Sequence, residues 1–404
     1  MSKWQPVKLN DCCASISDGD HQAPPKSTSG IPFVTISNID RYNSLDFSNV
    51  MYVPQEYYDK LDNKRKAQPG DIIYSVVGSF GIPVLIKNDI PFVFQRHIAI
   101  LKPNNTIDSR FLYYSMLSKD FYHKADAVAI GAAQRTISLT ALRNLEISLP
   151  PIEVQRKIAD MLSAYDYLIE NNRKQIKLLE EAAQRLYKEW FIDLRFPGYE
   201  TTPIVKGVPD GWKKVQLREL IAFNPKIAVT IDTIKTFVPM EALSTSSMVI
   251  SASEVFETSK NAGSKFEIGD TLFARITPCL ENGKTAFVSN IDKGGYGVGS
   301  TEFIVLRSEK LNPYIVYLLA RTKEFRSYAI NSMTGSDGRQ RVKVDKLEKY
   351  PTLLPSRKVI DLFGRIVAPY FGKVKVLSKA IHSCQEARNY LLPKLMTGEL
   401  EVEK

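Results

Sequence analysis

Several short polar stretches carry side chains able to pair with the edges of nucleic-acid bases. In the first half of the chain they are Gln95-Arg96-His97 and Gln134-Arg135, together with His21 and Gln22 in a loop flanked by Gly19 and Pro24. In the second half they are Arg275, Thr277, Lys284 and Arg339-Gln340-Arg341. A guanidinium presents two parallel N–H groups that match guanine O6 and N7, and a glutamine amide donates and accepts in the pattern adenine needs. Gln134-Arg135 and Gln340-Arg341 are the leading candidates, because each pair follows a loop of small residues. Lys64-Arg65-Lys66 is better suited to phosphate, which positions a protein without specifying sequence. For each residue the alternative is a solvated surface group.

Groups for bond-making chemistry are harder to find. An amino-methyltransferase needs an Asp/Asn-Pro-Pro-Tyr/Phe loop around its target base. Asn312-Pro313-Tyr314 lacks the second proline, and Asn224-Pro225-Lys226 lacks the aromatic as well. Gly294-Gly295-Tyr296-Gly297-Val298-Gly299 is glycine-dense but is not followed by Lys-Ser/Thr at phosphate-loop spacing, so it reads as a mobile turn. His21, His97, His123 and His382 are scattered and offer no metal-binding pair on a helix face. Cys12, Cys13, Cys279 and Cys384 fit neither a zinc site nor a disulfide framework, which predicts a reduced cytoplasmic protein. The expectation is a non-catalytic chain without metal or cofactor of its own. A nuclease or methyltransferase centre of unrecognised form is the enzymatic alternative.

The elements that must position these residues follow from length and repetition. The chain has 404 residues, 44% hydrophobic, enough for two domains with real cores. Its beginning, MSKWQPVKLND, lacks a signal-peptide apolar stretch, and no run reaches the ~18 apolar residues of a spanning helix. Net charge is +10, from 54 Lys+Arg against 44 Asp+Glu, which favours a polyanionic partner. Most of that excess lies outside the long helical segments.

Four landmarks occur twice in the same order. Trp4-Gln5-Pro6-Val7-Lys8-Leu9 returns as Trp212-Lys213-Lys214-Val215-Gln216-Leu217. Pro69-Gly70-Asp71-Ile72-Ile73-Tyr74-Ser75 resembles Ile268-Gly269-Asp270-Thr271-Leu272-Phe273-Ala274. Gln134-Arg135 matches Gln340-Arg341, and Pro150 before one long helix matches Pro355 before another. The repeat predicts a globular head over 1–150, a long helix over 151–195, a turn-rich linker over 196–211, a second head over 212–354 and a second helix over 355–404. Short strands rich in β-branched and aromatic residues predict mixed α/β heads.

Both helices show apolar residues at alternating steps of 4 and 3, the seam of a coiled coil. The first seam runs through Ile158, Leu162, Ile169, Asn172, Ile176 and Leu179, and the second through Val367, Val374, Leu377, Ile381 and Leu391. Asn172 is a candidate register device, and Pro369 predicts a bend near the start of the second helix. About 40 residues at 1.5 Å each make a rod of roughly 60 Å. An antiparallel coiled coil of two such rods, related by pseudo-twofold symmetry, would act as a ruler between two heads reading two half-sites. The alternative is a coiled-coil scaffold whose heads bind proteins.

With this layout the sequence resembles the specificity subunits of type I restriction–modification systems. Ser17-Asp18-Gly19-Asp20-His21-Gln22-Ala23-Pro24 looks like that family's early Asp-Gly-x-His motif. Gly30-Ile31-Pro32-Phe33-Val34 through Ser37-Asn38-Ile39 looks like the strand after it. Leu149-Pro150-Pro151-Ile152-Glu153-Val154-Gln155-Arg156-Lys157-Ile158 looks like the start of its first spacer helix, and Leu391-Leu392-Pro393-Lys394-Leu395-Met396-Thr397-Gly398-Glu399-Leu400 looks like its ending. The second head lacks a clear Asp-Gly-x-His equivalent. The resemblance implies two tandem target-recognition domains, double-stranded DNA as ligand, and assembly with two adenine-N6 methyltransferase subunits and with motor-and-nuclease restriction subunits. S-adenosylmethionine, ATP and magnesium would then belong to those partners, and no membrane is implied.

Overall fold

The computed structural model describes residues 4–19, 22–40, 42–132, 134–228, 233–291, 295–336 and 338–402. It is a mixed α/β chain that divides into two compact units, Met1–Leu168 with Cys384–Lys404, and Ile169–Ser383.

In the first unit a four-stranded antiparallel sheet has the order Cys13–Asp18, Ile98–Pro103, Ile72–Ser75, Pro83–Leu85. Side chains alternate across a strand, so this sheet feeds two cores. Tyr74, Ala99 and Leu101 face helices Ser109–Leu117 and Lys119–Val128 and the buried Ile158 and Leu162. Ile73, Ile98 and Ile100 face the other way, toward Phe92 and toward Val34 and Phe94 of a smaller sheet, Met51–Val53, Ile31–Val34, Val93–Phe94. Burial on both faces explains why Ile98-Ala99-Ile100-Leu101 is uninterrupted hydrophobe.

The second unit repeats the plan. Its main sheet has the order Ile221–Phe223, Phe303–Ser308, Thr271–Ala274, Thr285–Phe287. Phe273, Ile304 and Leu306 face one core, and Leu272, Phe303 and Val305 the other. A second sheet has the order Phe256–Thr258, Lys235–Val238, Gly297–Gly299, Ser264–Phe266. The glycine-dense segment is therefore not a mobile turn: Gly297–Gly299 is a buried inner strand. A Cβ on Gly297 would stand 2.2 Å from the Phe266 ring, and one on Gly299 would stand 2.7 Å from the Val238 carbonyl, so only glycine permits these close approaches. Gly294 lies outside the described residues.

The repeated sequence landmarks acquire physical reasons. Strand Gln5–Lys8 pairs antiparallel with Glu146–Leu149, and Lys213–Gln216 pairs with Pro351–Leu354. Each head is thus closed by tying its beginning to the strand just before a long helix. In the Gly-Asp motifs, Asp71 accepts from the Gln68 backbone N–H at 2.8 Å and pairs with Lys102 at 2.6 Å. Asp270 likewise accepts from the Glu267 N–H at 2.7 Å and from Arg307 at 2.6 and 2.7 Å. The shared aspartate locks a turn to the neighbouring strand.

The long helices span Ile152–Tyr187, continued by a π-helical turn Lys188–Ile192, and Arg357–Thr397. The second remains helical across Pro369. Both contribute residues to both units. In the first unit Ile158 and Leu162 are buried in one core with Leu392 and Leu395, and Leu391 packs half-buried against it. There Asp166 accepts from Arg388 at 2.5 Å and from the Tyr114 hydroxyl at 2.7 Å. In the second unit Ile176, Val367, Val374 and Leu377 share a core, with Leu179 and Ile381 against it. Ile169 is buried and Asn172 half-buried. Phe371 is buried where it packs on Phe287 and Tyr314, with centroids 4.9 and 4.5 Å away, while the neighbouring Tyr370 is half-buried. Phe196 of the linker packs tilted against Trp212, ring centroids 4.8 Å apart, and the linker contains a short hairpin, Ile204–Val205 with Val208–Pro209.

Candidate nucleic-acid interface

In the first unit, three loops converge at one end of the main sheet. Val76 donates its N–H to the His97 carbonyl at 2.9 Å, Ile137 donates to the Val76 carbonyl at 2.9 Å, and Gly78 donates to the Arg135 carbonyl at 3.0 Å. These bonds bring Gln95-Arg96-His97 and Gln134-Arg135 together across the loop that follows strand Ile72–Ser75. Gln22 is exposed, and His21 lies outside the described residues. The chain leading into their loop is fixed by Gly19, whose N–H donates to the Ile98 carbonyl at 3.1 Å. A Cβ on Gly19 would lie 2.1 Å from the Phe94 carbonyl and 2.5 Å from that of Gln95. The Asp-Gly-x-His loop therefore begins against the Gln95 turn.

The side chains differ in freedom. Arg96 and Gln134 are exposed. The Gln95 amide lies 3.2 Å from His97 Nδ1. Arg135 is tied down, pairing with the Asp126 carboxylate at 2.6 Å and donating to the Asp126 carbonyl. Of the basic triplet, Arg65 stands 3.6 Å from Asp18, and the Lys64 carbonyl accepts from Ser17 at 2.9 Å. The triplet thus borders the same loop.

In the second unit the same hydrogen bonds recur on different residues. Arg275 donates its N–H to the Glu302 carbonyl at 3.0 Å, Val342 donates to the Arg275 carbonyl at 2.9 Å, and Thr277 donates to the Gln340 carbonyl at 3.1 Å. Backbone register therefore aligns Val76 with Arg275, His97 with Glu302, and Arg135 with Gln340. Gln134-Arg135 and Gln340-Arg341 sit at the same place in the two heads but one residue out of register, so Arg341 corresponds to Thr136. A two-residue match is too short to fix register, whereas the bond pattern fixes it residue by residue.

Glu302 is the residue that sequence reasoning missed. The Arg341 guanidinium donates to both its oxygens, at 2.7 to 3.0 Å. Arg275 Nε stands 3.9 Å from the same carboxylate, buried and without a hydrogen-bond partner. The hydrogen bonds from Arg341 hold the Glu302 carboxyl below the usual glutamate range; burial opposes this, and the charges of Arg341 and Arg275 assist it. The available signal was the alignment of Ile98-Ala99-Ile100-Leu101 with Phe303-Ile304-Val305-Leu306, which puts Ser300-Thr301-Glu302 where Gln95-Arg96-His97 stands.

The remaining candidates are placed as follows. Lys284 is half-buried and donates to the Met240 carbonyl at 2.9 Å. The Thr277 hydroxyl is buried without a partner, at the cis Thr277-Pro278 peptide. Arg339 is exposed and Gln340 half-buried. The second head ends the equivalent strand at Phe223, which pairs with Leu306 as Ile16 pairs with Leu101, and turns through Asn224-Pro225, so Pro225-Lys226 stand where the first head has Asp18-Gly19. Asn224 there bonds back to Val305 through both its N–H and its side-chain oxygen. This turn, Lys226, Lys265 and Thr301 line an open cleft of about 530 Å³. Among the described residues, no group of three or more His, Cys, Asp or Glu is arranged to hold a metal ion. Nor is any helix long and apolar enough to cross a membrane.

The family profile described as type I restriction modification DNA specificity domain matches residues 1–181. The chain is 26% identical over 390 residues to the type I restriction enzyme MjaIX specificity subunit of Methanocaldococcus jannaschii, covering 93% of this chain and 88% of that protein. It is 36% identical over 173 residues to the EcoAI specificity subunit of Escherichia coli, covering 40% of this chain and 29% of that one. Among solved structures, the type I restriction-modification S subunit from M. genitalium shares the fold, with a TM-score of 0.57 at 16% identity, covering 98% of this chain and 96% of that one.

Proposed function

For a chain that belongs to the specificity-subunit family of type I restriction–modification systems, we propose that each of its two heads reads one half of a bipartite, gapped site in double-stranded DNA. The observation that carries this reading is the duplicated surface, in which one hydrogen-bond pattern presents Gln95, Arg96, His97 and Gln134 in one unit and Arg275, Arg339 and Arg341 in the other. Side chains of these types read base edges in the major groove. The two surfaces share a backbone but not side chains, which suits two half-sites of different sequence.

The chain itself is a non-catalytic subunit. The long helices are read as an antiparallel coiled coil that sets the gap between half-sites and carries surfaces for two methyltransferase subunits and for restriction subunits. S-adenosylmethionine, ATP and magnesium would be bound by those partners. Burial of the apolar seams within each unit supports the helix pairing. Cytoplasmic residence is the setting this function requires.

Selection of duplexes from a randomised pool, by the full chain copurified with its methyltransferase subunits, tests the reading. It should recover one gapped motif, and affinity should fall steeply with added salt as phosphate contacts release counterions. Salt-independent association, or capture of proteins without any duplex, would favour the scaffold instead.

A further inference from the structure

Glu302 is not a residue type that suggests base reading here, yet two guanidinium groups converge on it. Its place is set by backbone. The Glu302 carbonyl accepts from Arg275, whose own carbonyl accepts from Val342, and Ile276 bridges to Arg341. Three segments that carry charged side chains are therefore clamped to one another before any ligand arrives.

The way Arg341 uses its donors is informative. A guanidinium has five N–H groups in a fixed plane. Arg341 gives Nε and one terminal nitrogen to Glu302, and its other terminal nitrogen donates to the Arg339 carbonyl at 3.3 Å. Three donors are thereby committed, two of them along the side edge that faces Glu302. Two remain, one on each terminal nitrogen. The Arg341 side chain is 40% exposed against 25% for Glu302, so the arginine is the outer member of the pair. Arg275, whose buried Nε stands 3.9 Å from the same carboxylate without hydrogen-bonding it, leaves the cluster of three one positive charge in excess.

We infer that Glu302 is a positioning residue for specificity: it holds the side edge of Arg341 so that the end edge meets guanine O6 and N7 in the half-site read by the second unit. The inference rests on the proposed DNA reading and names the base and the pair of residues responsible. The first head lacks this device, since His97 occupies the position of Glu302 and Thr136 that of Arg341. The guanine contact therefore belongs to one half-site only.

The test is duplex selection by the full chain copurified with its methyltransferase subunits, comparing wild type with Glu302→Gln and Arg341→Lys. Lysine keeps the charge and loses the fork; glutamine keeps the shape and loses one acceptor oxygen and the charge. Both variants should lose at least roughly tenfold in preference at one and the same G·C pair. The other half-site should be read as before, and Glu302→Gln should bind unspecific duplex as well as or better than wild type. Unchanged preference in Arg341→Lys overturns the inference, whatever Glu302→Gln does to folding. A uniform gain in affinity with preference intact in Glu302→Gln also overturns it, because Glu302 would then only screen charge. A wild-type chain without preference at either half-site overturns the DNA reading itself.

Discussion

The Glu180 carboxylate accepts a hydrogen bond from the Ser247 hydroxyl at 2.6 Å, joining the first long helix to a loop of the second unit's head. The same oxygen accepts from the Met248 backbone N–H at 2.9 Å, while Arg321 holds the loop through the Thr245 carbonyl at 3.1 Å. Met248 in turn accepts from Phe287 at the edge of the main sheet. A helix residue thus fixes a loop that is bonded to the edge strand of the second unit's main sheet.

Burial is the strongest influence on Glu180 and pushes its carboxyl above the usual glutamate range; the bonds from Ser247 and Met248 and the charge of Arg321 pull the other way. A folded-state value that is raised contributes stability that is present at low pH and lost as pH rises through that value. Compared with Glu180→Gln, the wild type should therefore gain stability as pH falls from 7 toward the ordinary glutamate value of about 4.3. Urea unfolding of both proteins across that window checks this, and parallel pH profiles would contradict it. Glu180→Ala leaves two donors without an acceptor and should cost about 1–3 kcal/mol at any pH in the window.

Gly19→Ala should damage the first half-site alone. The new Cβ would overlap the Phe94 and Gln95 carbonyls, so the loop or the 95–97 turn must move. Both are backbone atoms, and no side-chain rotation relieves the clash. Duplex selection should show relaxed preference in one half-site with the other unchanged. Equal loss in both halves would mean that the two heads are not separable readers.

Asp270→Ala should cost more than an exposed ion pair would. Asp270 is 2% exposed at its side chain and carries both the Glu267 N–H and the Arg307 guanidinium. Removing one partner of a buried pair costs roughly 3–5 kcal/mol; the partial exposure of Arg307 and its second pairing with Glu267 at 2.8 Å put the expectation at the lower end. Chemical denaturation gives the value, and a change under about 0.5 kcal/mol, the ordinary range for surface substitutions, would show that the turn is held by other means.

The duplication was legible because it rests on residues with structural work that tolerates few alternatives. The Gly-Asp turns and the helical spacing of apolar residues follow from local geometry, whereas the strand that closes each head was marked only by the recurring Trp-x-x-Val-x-Leu, its pairing partner lying at the far end of the head. Residues 297–299 were misread because glycine density signals a turn by default, while here the Phe266 ring and the Val238 carbonyl approach too closely for a side chain. The candidate surface was legible only in outline. Gln134-Arg135 and Gln340-Arg341 lie on equivalent segments of the two units, but their register depends on bonds to Gly78 and Thr277 that lie far away in sequence. Glu302 was invisible for a related reason: an acidic residue gains meaning only when folding sets two arginines against it.

The central claim is that this chain chooses the DNA sequence on which its complex acts. The most direct measurement is the adenine-methylation map of the native host genome with and without this gene. Methylation at one gapped, bipartite motif should disappear in the deletion and return on complementation. An unchanged map, with the methyltransferase subunits expressed and active, would contradict the claim.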